Sequence, residues 1–322
     1  MKNILWTVSA AAAIAVVTAG AAMADGVNYA YTTFSISGAL DTGAYGIDGS
    51  TVVGNYTAAD GSGHGFSQTE GVCTTLDHPD AKAGATYVKG VSGNTVVGYY
   101  EDNTDKDNPD IVPNFHGFSV TNGVYTTLDV AGAKPRSMRV NSISGNTIVG
   151  TYGDASTNCY RGFSYSDGVY TTLNVPGAKA TSAYGVSGST IVGNYETDEG
   201  IFHGFSLTDG VYTTLDVPGA MQQSFQGVSG STAVGYYMDG LTLHGFSETG
   251  GVYTTLDAPG ALATVIFGIS GNTIVGAAYD SEGSPYSYIA TAGAPVPEPA
   301  FFQMGALLGM SGLGCLKLRR KA

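Results

Sequence analysis

The stretch HGFSLTDGVYTTLDVPGA (His203–Ala220) decides the fold, because close variants of it occur four more times in the same chain. A catalytic site is normally built once, so repetition points to architecture. Aligning the chain on itself gives three recurring pieces. SGxTxVGxY occupies 49–56, 93–100, 145–152, 188–195, 230–237 and 271–279, with variations. HGFS stands at 64–67, 116–119, 203–206 and 244–247, with RGFS at 161–164. TTLD stands at 74–77, 126–129, 213–216 and 254–257, with TTLN at 171–174. Successive Val-Gly pairs lie 41 to 52 residues apart, the period of a four-stranded blade rather than of a short solenoid coil.

Within one repeat the pattern predicts four strands, near 183–187, 189–196, 202–208 and 211–217 in the fourth. Val211, Thr213, Leu215 and Val217 fall on one face and Tyr212, Thr214 and Asp216 on the other, as period-two geometry requires. Asn122-Gly123, Asp167-Gly168 and Asp209-Gly210 suit the primed turns of antiparallel hairpins. The Pro-Gly pairs at 176–177, 218–219 and 259–260 end the last strand of a repeat. The sixth unit has two clear strands (Phe267–Ser270 and Thr273–Tyr279) and a degenerate third near Tyr286–Ala290, but no TTLD strand. YTTFSISGA at Tyr31–Ala39 aligns with YTTLDVPGA at Tyr212–Ala220 and supplies it. An open stack needs capping units and leaves raw edges, whereas a ring stitched shut by one exchanged strand needs neither. The expected fold is all-β: a six-bladed β-propeller of four-stranded antiparallel blades, closed by an N-terminal strand and spanning 25–292. A small residue precedes Val or Ile in each first strand (Gly46, Gly90, Ser142, Gly185, Gly227, Gly268), as close packing about an axis requires.

The ends carry sorting information. Lys2, an apolar run from Ile4, and Ala22-Met23-Ala24 form a signal peptide over 1–24, with cleavage expected between Ala24 and Asp25. The last segment, 293–322, holds an apolar stretch at 300–316, long enough to cross a bilayer as a helix. Lys317, Arg319, Arg320 and Lys321 follow it and would hold that end in the cytoplasm. Val296, Pro297, Glu298 and Pro299, then one apolar span, then the basic cluster, resemble the PEP-CTERM sorting signal. That resemblance implies recognition by an exosortase, cleavage near Pro297-Glu298-Pro299, a transient inner-membrane intermediate, and delivery to the surface or extracellular matrix of a Gram-negative bacterium. The repeat itself, HGF then TTLDxPGA then GxSGxTxVGxY, resembles the HAF family of extracellular repeats over nearly all of 30–290. That family carries no activity to transfer.

Composition allows a real core and favours strands and tight turns over helices. The 322 residues include 48 Gly and 21 Tyr, 43% are hydrophobic, and only 12% are charged. Removing the leader and the basic tail leaves eight basic residues against 26 acidic ones, a balance of −18 that argues against nucleic acid as a partner. All eight lie between Lys82 and Lys179, so a ring would gather them in one sector. Lys89, Arg136 and Arg139 form the candidate patch for an anionic polysaccharide; the competing reading is that the basic residues neutralise the acidic insert at 101–110. Cys315 would leave with the tail. Cys73 and Cys159 fall in units one and three, which are not neighbours in a six-membered ring, so both are expected to be unpaired.

Four of five histidines stand in HGFS, with an Asp in each TTLD. They could be assembled into a triad on paper, but they recur in register, and a nucleophile needs one unique, oriented base. Unit three changes both positions together, to Arg161 and Asn174, as partners in one contact would. No residue is assigned a catalytic role. His78, alone in LDHPDA, reads as a surface turn residue. Acid recurs in the loop between second and third strands of every unit, which ring symmetry places on one face. Asp102, Asp105, Asp107 and Asp110 are weak Ca²⁺ candidates lacking the spacing of an EF-hand loop; no other metal or cofactor is expected. The leading functional reading is a non-enzymatic surface or matrix protein that binds extracellular polysaccharide or matrix proteins. The alternatives are an exported glycan-active enzyme with its site at the ring axis near Lys89, Arg139 and Asn141, and a Ca²⁺-dependent adhesin.

Overall fold

A computed structural model describes residues 20–24, 27–102 and 114–293. The chain forms six antiparallel sheets arranged as a ring of blades. Blade one is β3 (Asp41–Asp48), β4 (Thr51–Thr57), β5 (Gly63–Thr69) and β6 (Val72–Thr75). Blade two is β7 (Ala81–Ser92), β8 (Thr95–Asp102), β9 (Phe115–Thr121) and β10 (Val124–Leu128). Blade three is β11 (Arg139–Ser144), β12 (Thr147–Gly153), β13 (Tyr160–Ser166) and β14 (Val169–Leu173). Blade four is β15 (Ala180–Ser187), β16 (Thr190–Glu196), β17 (Phe202–Thr208) and β18 (Val211–Leu215). Blade five is β19 (Gln222–Ser229), β20 (Thr232–Asp239), β21 (Thr242–Thr249) and β22 (Val252–Thr255). Blade six is β23 (Ala263–Ser270), β24 (Thr273–Tyr279) and β25 (Pro285–Ala292), completed by β2 (Val27–Phe34) from the other end of the chain. The stitched closure expected from Tyr31 is therefore present. One addition was not expected: β1 (Gly20–Ala24) pairs with β2 and gives this sheet a fifth, outer strand.

The motifs explain why the blades stack. The Val of each Val-Gly pair (Val53, Val97, Val149, Val192, Val234, Val275) is at most 1% exposed and packs against the following blade. The Phe of each HGF or RGF (Phe66, Phe118, Phe163, Phe205, Phe246), with Tyr288 in the sixth unit, faces the preceding blade. Six apolar clusters result, one per interface, and Val275 against Phe34, Ile36 and Phe66 seals blade six to blade one. Burying each such side chain stabilises the ring by about 1.5–3 kcal/mol. Polar contacts repeat the same closure. The N–H groups of Gly93, Gly145, Gly188, Gly230 and Gly271 donate to Asp48, Ser92, Ser144, Ser187 and Ser229 of the blade before, at 2.7–3.1 Å. Gly49 N–H donates to Ser270 Oγ at 3.1 Å and closes the circle.

Turn chemistry matches the sequence. Asp209 (φ 50°) and Gly210 (φ 82°) both have positive φ, as a type I′ hairpin requires. The Val-Pro-Gly-Ala turn closes with Ala220 N–H donating to Val217 C=O at 3.2 Å. These connections define two faces. The front carries the Pro-Gly turns and the acidic loops between second and third strands; the rear carries the other two sets of hairpins. The chain leaves the last strand on the rear, where Ala292 N–H donates to Asn272 C=O in the β23–β24 turn.

His78 departs from expectation. It is 5% exposed, stacked 3.7 Å from the Tyr100 ring and packed edge-on to Tyr125. It occupies the slot that Val175, Val217 and Ala258 fill in other units, the residue just after TTLD or TTLN. Its N–H donates to Thr86 Oγ1 at 2.9 Å, as Val175 N–H does to Thr181 Oγ1. Burial lowers its pKa, so the ring packs as a neutral aromatic.

Candidate functional site

Every innermost strand carries a β-bulge at the same register, between Ala44 and Gly46, Val88 and Gly90, Val140 and Ser142, Ala183 and Gly185, Phe225 and Gly227, and Ile266 and Gly268. A bulge puts one extra residue into a strand and re-aims its side chain. The extra residues are Tyr45, Lys89, Asn141, Tyr184, Gln226 and Phe267, and all six line one chamber on the ring axis. Its volume is ≈ 300 Å³, and Tyr99 and Arg139 complete the wall. Below them the small residues meet: a Cβ on Gly46 would lie 2.6 Å from Lys89 C=O, and one on Gly90 would lie 3.0 Å from Ser142 Cα. The axis narrows there to ≈ 70 Å³. Arg139 opens β11, and Tyr99 and Phe115 flank the β8–β9 loop, so the chamber opens on the front.

The chamber is cationic and aromatic. Lys89 Nζ lies 3.6 Å from the Tyr45 ring centroid, and Tyr45 packs 5.2 Å from Phe267. Arg139 stacks 4.0 Å from Phe115 and 4.5 Å from Tyr99, and its Nη1 donates to Met138 C=O at 2.7 Å, which fixes the head group. Burial, reinforced by the charge of Arg139, lowers the Lys89 pKa to about 8. Burial raises Tyr45, Tyr99 and Tyr184, so their hydroxyls stay neutral. Asn141 Nδ2 donates to Ala183 C=O of the next blade at 2.8 Å. Among the described residues neither Lys89 nor Arg139 meets a carboxylate. A cleft of ≈ 220 Å³ between blades four and five, lined by Phe202, Tyr236, Met238 and Leu243 among others, has no charged wall.

Of the predicted patch, the fold brings Lys89 and Arg139 together. Arg136 lies at the rim, 5.4 Å from the Phe115 ring and 3.8 Å from Glu101, so it serves both the patch and the neutralising reading. Asp102 accepts from Asn114 N–H at 2.9 Å and from His116 Nε2 at 3.2 Å, which commits its oxygens to the fold. Asp105, Asp107 and Asp110 lie outside the described residues. So do Asp25, Val296, Pro297, Glu298, Pro299, Arg319, Arg320 and Lys321, whereas Ala24 ends β1. Among the described residues no group of three or more His, Cys, Asp or Glu could hold a metal ion. Cys73 and Cys159 are free thiols in different blades. Sequence reasoning missed Tyr45, Tyr184, Gln226 and Phe267. The signal was available: the residue before the axial small residue reads Tyr, Lys, Asn, Tyr, Gln, Phe, varying where its neighbours repeat.

The histidines are structural. His64, His116, His203 and His244 each bond through Nδ1 to the Asp thirteen residues on, at 2.6–2.9 Å, and Arg161 bonds Asn174 at 2.8 Å in the same place. Burial works against the charged form of His116, and its bonds to Asp129 and Asp102 more than reverse this, so its pKa is raised. His244 strikes the same balance with Asp257 and Asp239. A raised folded-state pKa contributes stability below the unfolded value of ~6.5, and that contribution is lost as pH climbs through the folded value. His116→Gln is therefore expected to cost more stability at about pH 5.5 than at about pH 8.5, read as the gap between urea midpoints. An equal gap at both would mean that the pair never carries charge on the ring.

No family model and no curated protein matches the chain. Solved structures match in shape. An acylaminoacyl peptidase in complex with Z-Gly-Gly-Phe-chloromethyl ketone aligns at TM-score 0.50 and 11% identity, over 87% of this chain and 51% of that one. The chain thus spans about half the length of that peptidase. The β-propeller domain of the trilobed protease from Pyrococcus furiosus aligns at TM-score 0.48 and 8% identity, over 80% and 99%. A six-bladed fungal lectin from Aleuria aurantia aligns at 0.46 and 14%, over 80% and 96%. The chain is a six-bladed β-propeller of four-stranded antiparallel blades, and at these identities the likeness is one of fold alone.

Proposed function

We propose that this chain is an exported surface or matrix protein that binds acidic extracellular polysaccharide without turning it over. The observation that carries the reading is the convergence of Lys89 and Arg139, with stacked aromatics, at the axis of a strongly acidic ring. Aromatic faces suit the C–H faces of sugars, and cations that meet no carboxylate among the described residues suit those of the sugars. Delivery follows the ends of the chain: a leader removed after Ala24, a membrane-held intermediate, and release by an exosortase near Pro297-Glu298-Pro299. Co-sedimentation of the full-length protein with the producing organism's polysaccharide tests it. Binding that weakens with salt and is lost on reversing charge at Arg136 and Arg139 is the expected result; no binding with or without EDTA overturns it. Calcium-dependent binding would instead favour the acidic front loops.

One observation favours a second reading. Near its lowered pKa Lys89 offers a neutral amine beside Arg139 and Asn141, the parts needed to remove a proton next to a uronate carboxylate. The C5 proton would pass to Nζ, and the C5–H electron pair would form the C4=C5 double bond as C4–O4 breaks. O4 would leave with a proton from a tyrosine hydroxyl, and Nζ would return its proton to that phenolate. Ultraviolet absorbance from an unsaturated uronate, generated by wild type and not by Lys89→Met, would establish that activity.

A further inference from the structure

We propose that the axial chamber takes the end, or a pendant residue, of an acidic glycan, seating one carboxylated sugar with its carboxylate between Lys89 and Arg139 and its ring against Tyr45 and Phe267. The inference rests on the polysaccharide-binding reading and adds which part of the polymer is read. Volume decides the stoichiometry. A chamber of ≈ 300 Å³ is at the small end of ligand pockets, ~300–1,000 Å³, and holds roughly one or two sugar rings. The constriction beneath it, ≈ 70 Å³ at the ring of small residues, admits a few water molecules and nothing larger. A polysaccharide therefore cannot thread the axis, and an internal segment crossing the front face would pass over the chamber without entering it. A chain end or a branch sugar can enter.

Charge decides the class. Lys89 is half-buried, and its ammonium faces one further cation, Arg139, the phenols of Tyr45, Tyr99 and Tyr184, the amides of Asn141 and Gln226, and Phe267. With no carboxylate partner among the described residues, two neighbouring cations in a desolvated site are an unfavourable arrangement that a bound anion relieves. The phenols are held neutral and each amide spends an N–H on the scaffold, so the walls add no negative charge that would oppose the anion, and the phenol O–H groups remain to donate to sugar hydroxyls.

The test uses full-length protein and three probes: methyl β-glucuronide, methyl β-glucoside, and a long polyuronate. The glucuronide is expected to bind at least about tenfold more tightly than the glucoside. It should also shield Lys89 from acetylation by acetic anhydride, read by mass spectrometry on the wild-type chain. Its affinity should fall between about pH 7 and about pH 9, as Lys89 loses its proton while the tyrosines do not. Lys89→Met should remove the preference for the glucuronide. If the polyuronate binds but the glucuronide does not shield Lys89, end recognition is overturned and polysaccharide binding stands. If nothing binds, both fall.

Discussion

Gly193→Ala is expected to cost roughly 3 kcal/mol or more and to abolish ordered packing at the axis, although it adds a single methyl group. Gly193 is the Gly of a Val-Gly pair. Its Cβ would land on the carbonyl oxygen of Ser182 and would also lie 3.0 Å from the Phe205 ring. The same collision awaits the corresponding glycine in every blade: Gly54 on Gly43, Gly98 on Tyr87, Gly150 on Arg139, Gly235 on Ser224, Gly276 on Val265. The cause is the bulge. Inserting Tyr184 between Ala183 and Gly185 pushes the innermost strand against its neighbour, and only a residue without Cβ leaves room. The obstacle is backbone, which cannot rotate aside. Gly188→Ala is the control: a positive φ of 56° but nothing within 4 Å of the added atom, so about 1–2 kcal/mol. Urea denaturation followed by circular dichroism separates the two. Equal midpoints would mean the bulge relaxes freely and does not hold the axial residues in place.

Beginning the chain at Ser35 is expected to abolish cooperative melting, whereas beginning it at Asp25 should shift the melting temperature by only a few degrees. The shorter deletion removes β1 and leaves blade six with four strands, like every other blade. The longer one removes β2, whose Tyr31 (6% exposed) packs 5.3 Å from Tyr288 and whose Phe34 (9% exposed) stacks 5.8 Å from Phe66. Losing those two aromatics forfeits roughly 3–6 kcal/mol before any ladder hydrogen bond is counted, against a typical total of ~5–15 kcal/mol for a domain. It also bares β25 as a flat edge, so the product should self-associate. Calorimetry with sedimentation velocity decides. A monomer with an intact transition would show that the ring does not depend on the exchanged strand.

Much of this was legible in the sequence because each repeated residue has a repeated cause. Val-Gly, HGF and TTLD mark the forward-facing core, the backward-facing core and the outer strand, and Tyr31–Ala39 betrayed the exchange. The joint change to Arg161 and Asn174 correctly announced a cross-strand contact. What stayed hidden depends on context that one unit does not carry. His78 looked like a turn residue because its side chain is polar; its slot, shared with Val175 and Val217, is apolar. The chamber was half visible. Lys89, Arg139 and Asn141 could be placed near an axis, but Tyr99 and Phe115 reach Arg139 only once blades two and three are docked. Tyr45 and Phe267, at opposite ends of the sequence, meet only when the ring is closed.

The exit of the chain beside Asn272 also fixes an orientation. The chamber mouth lies on the front of the disc, and Ala292, the last residue of β25, lies on the rear. If the residues after 293 anchor it as proposed, the ring would stand like a cup on its stem, its mouth turned away from whatever holds it. Under the proposed function a glycan would be caught without displacing the holder, and cutting the stem would free the ring with its binding side unaltered.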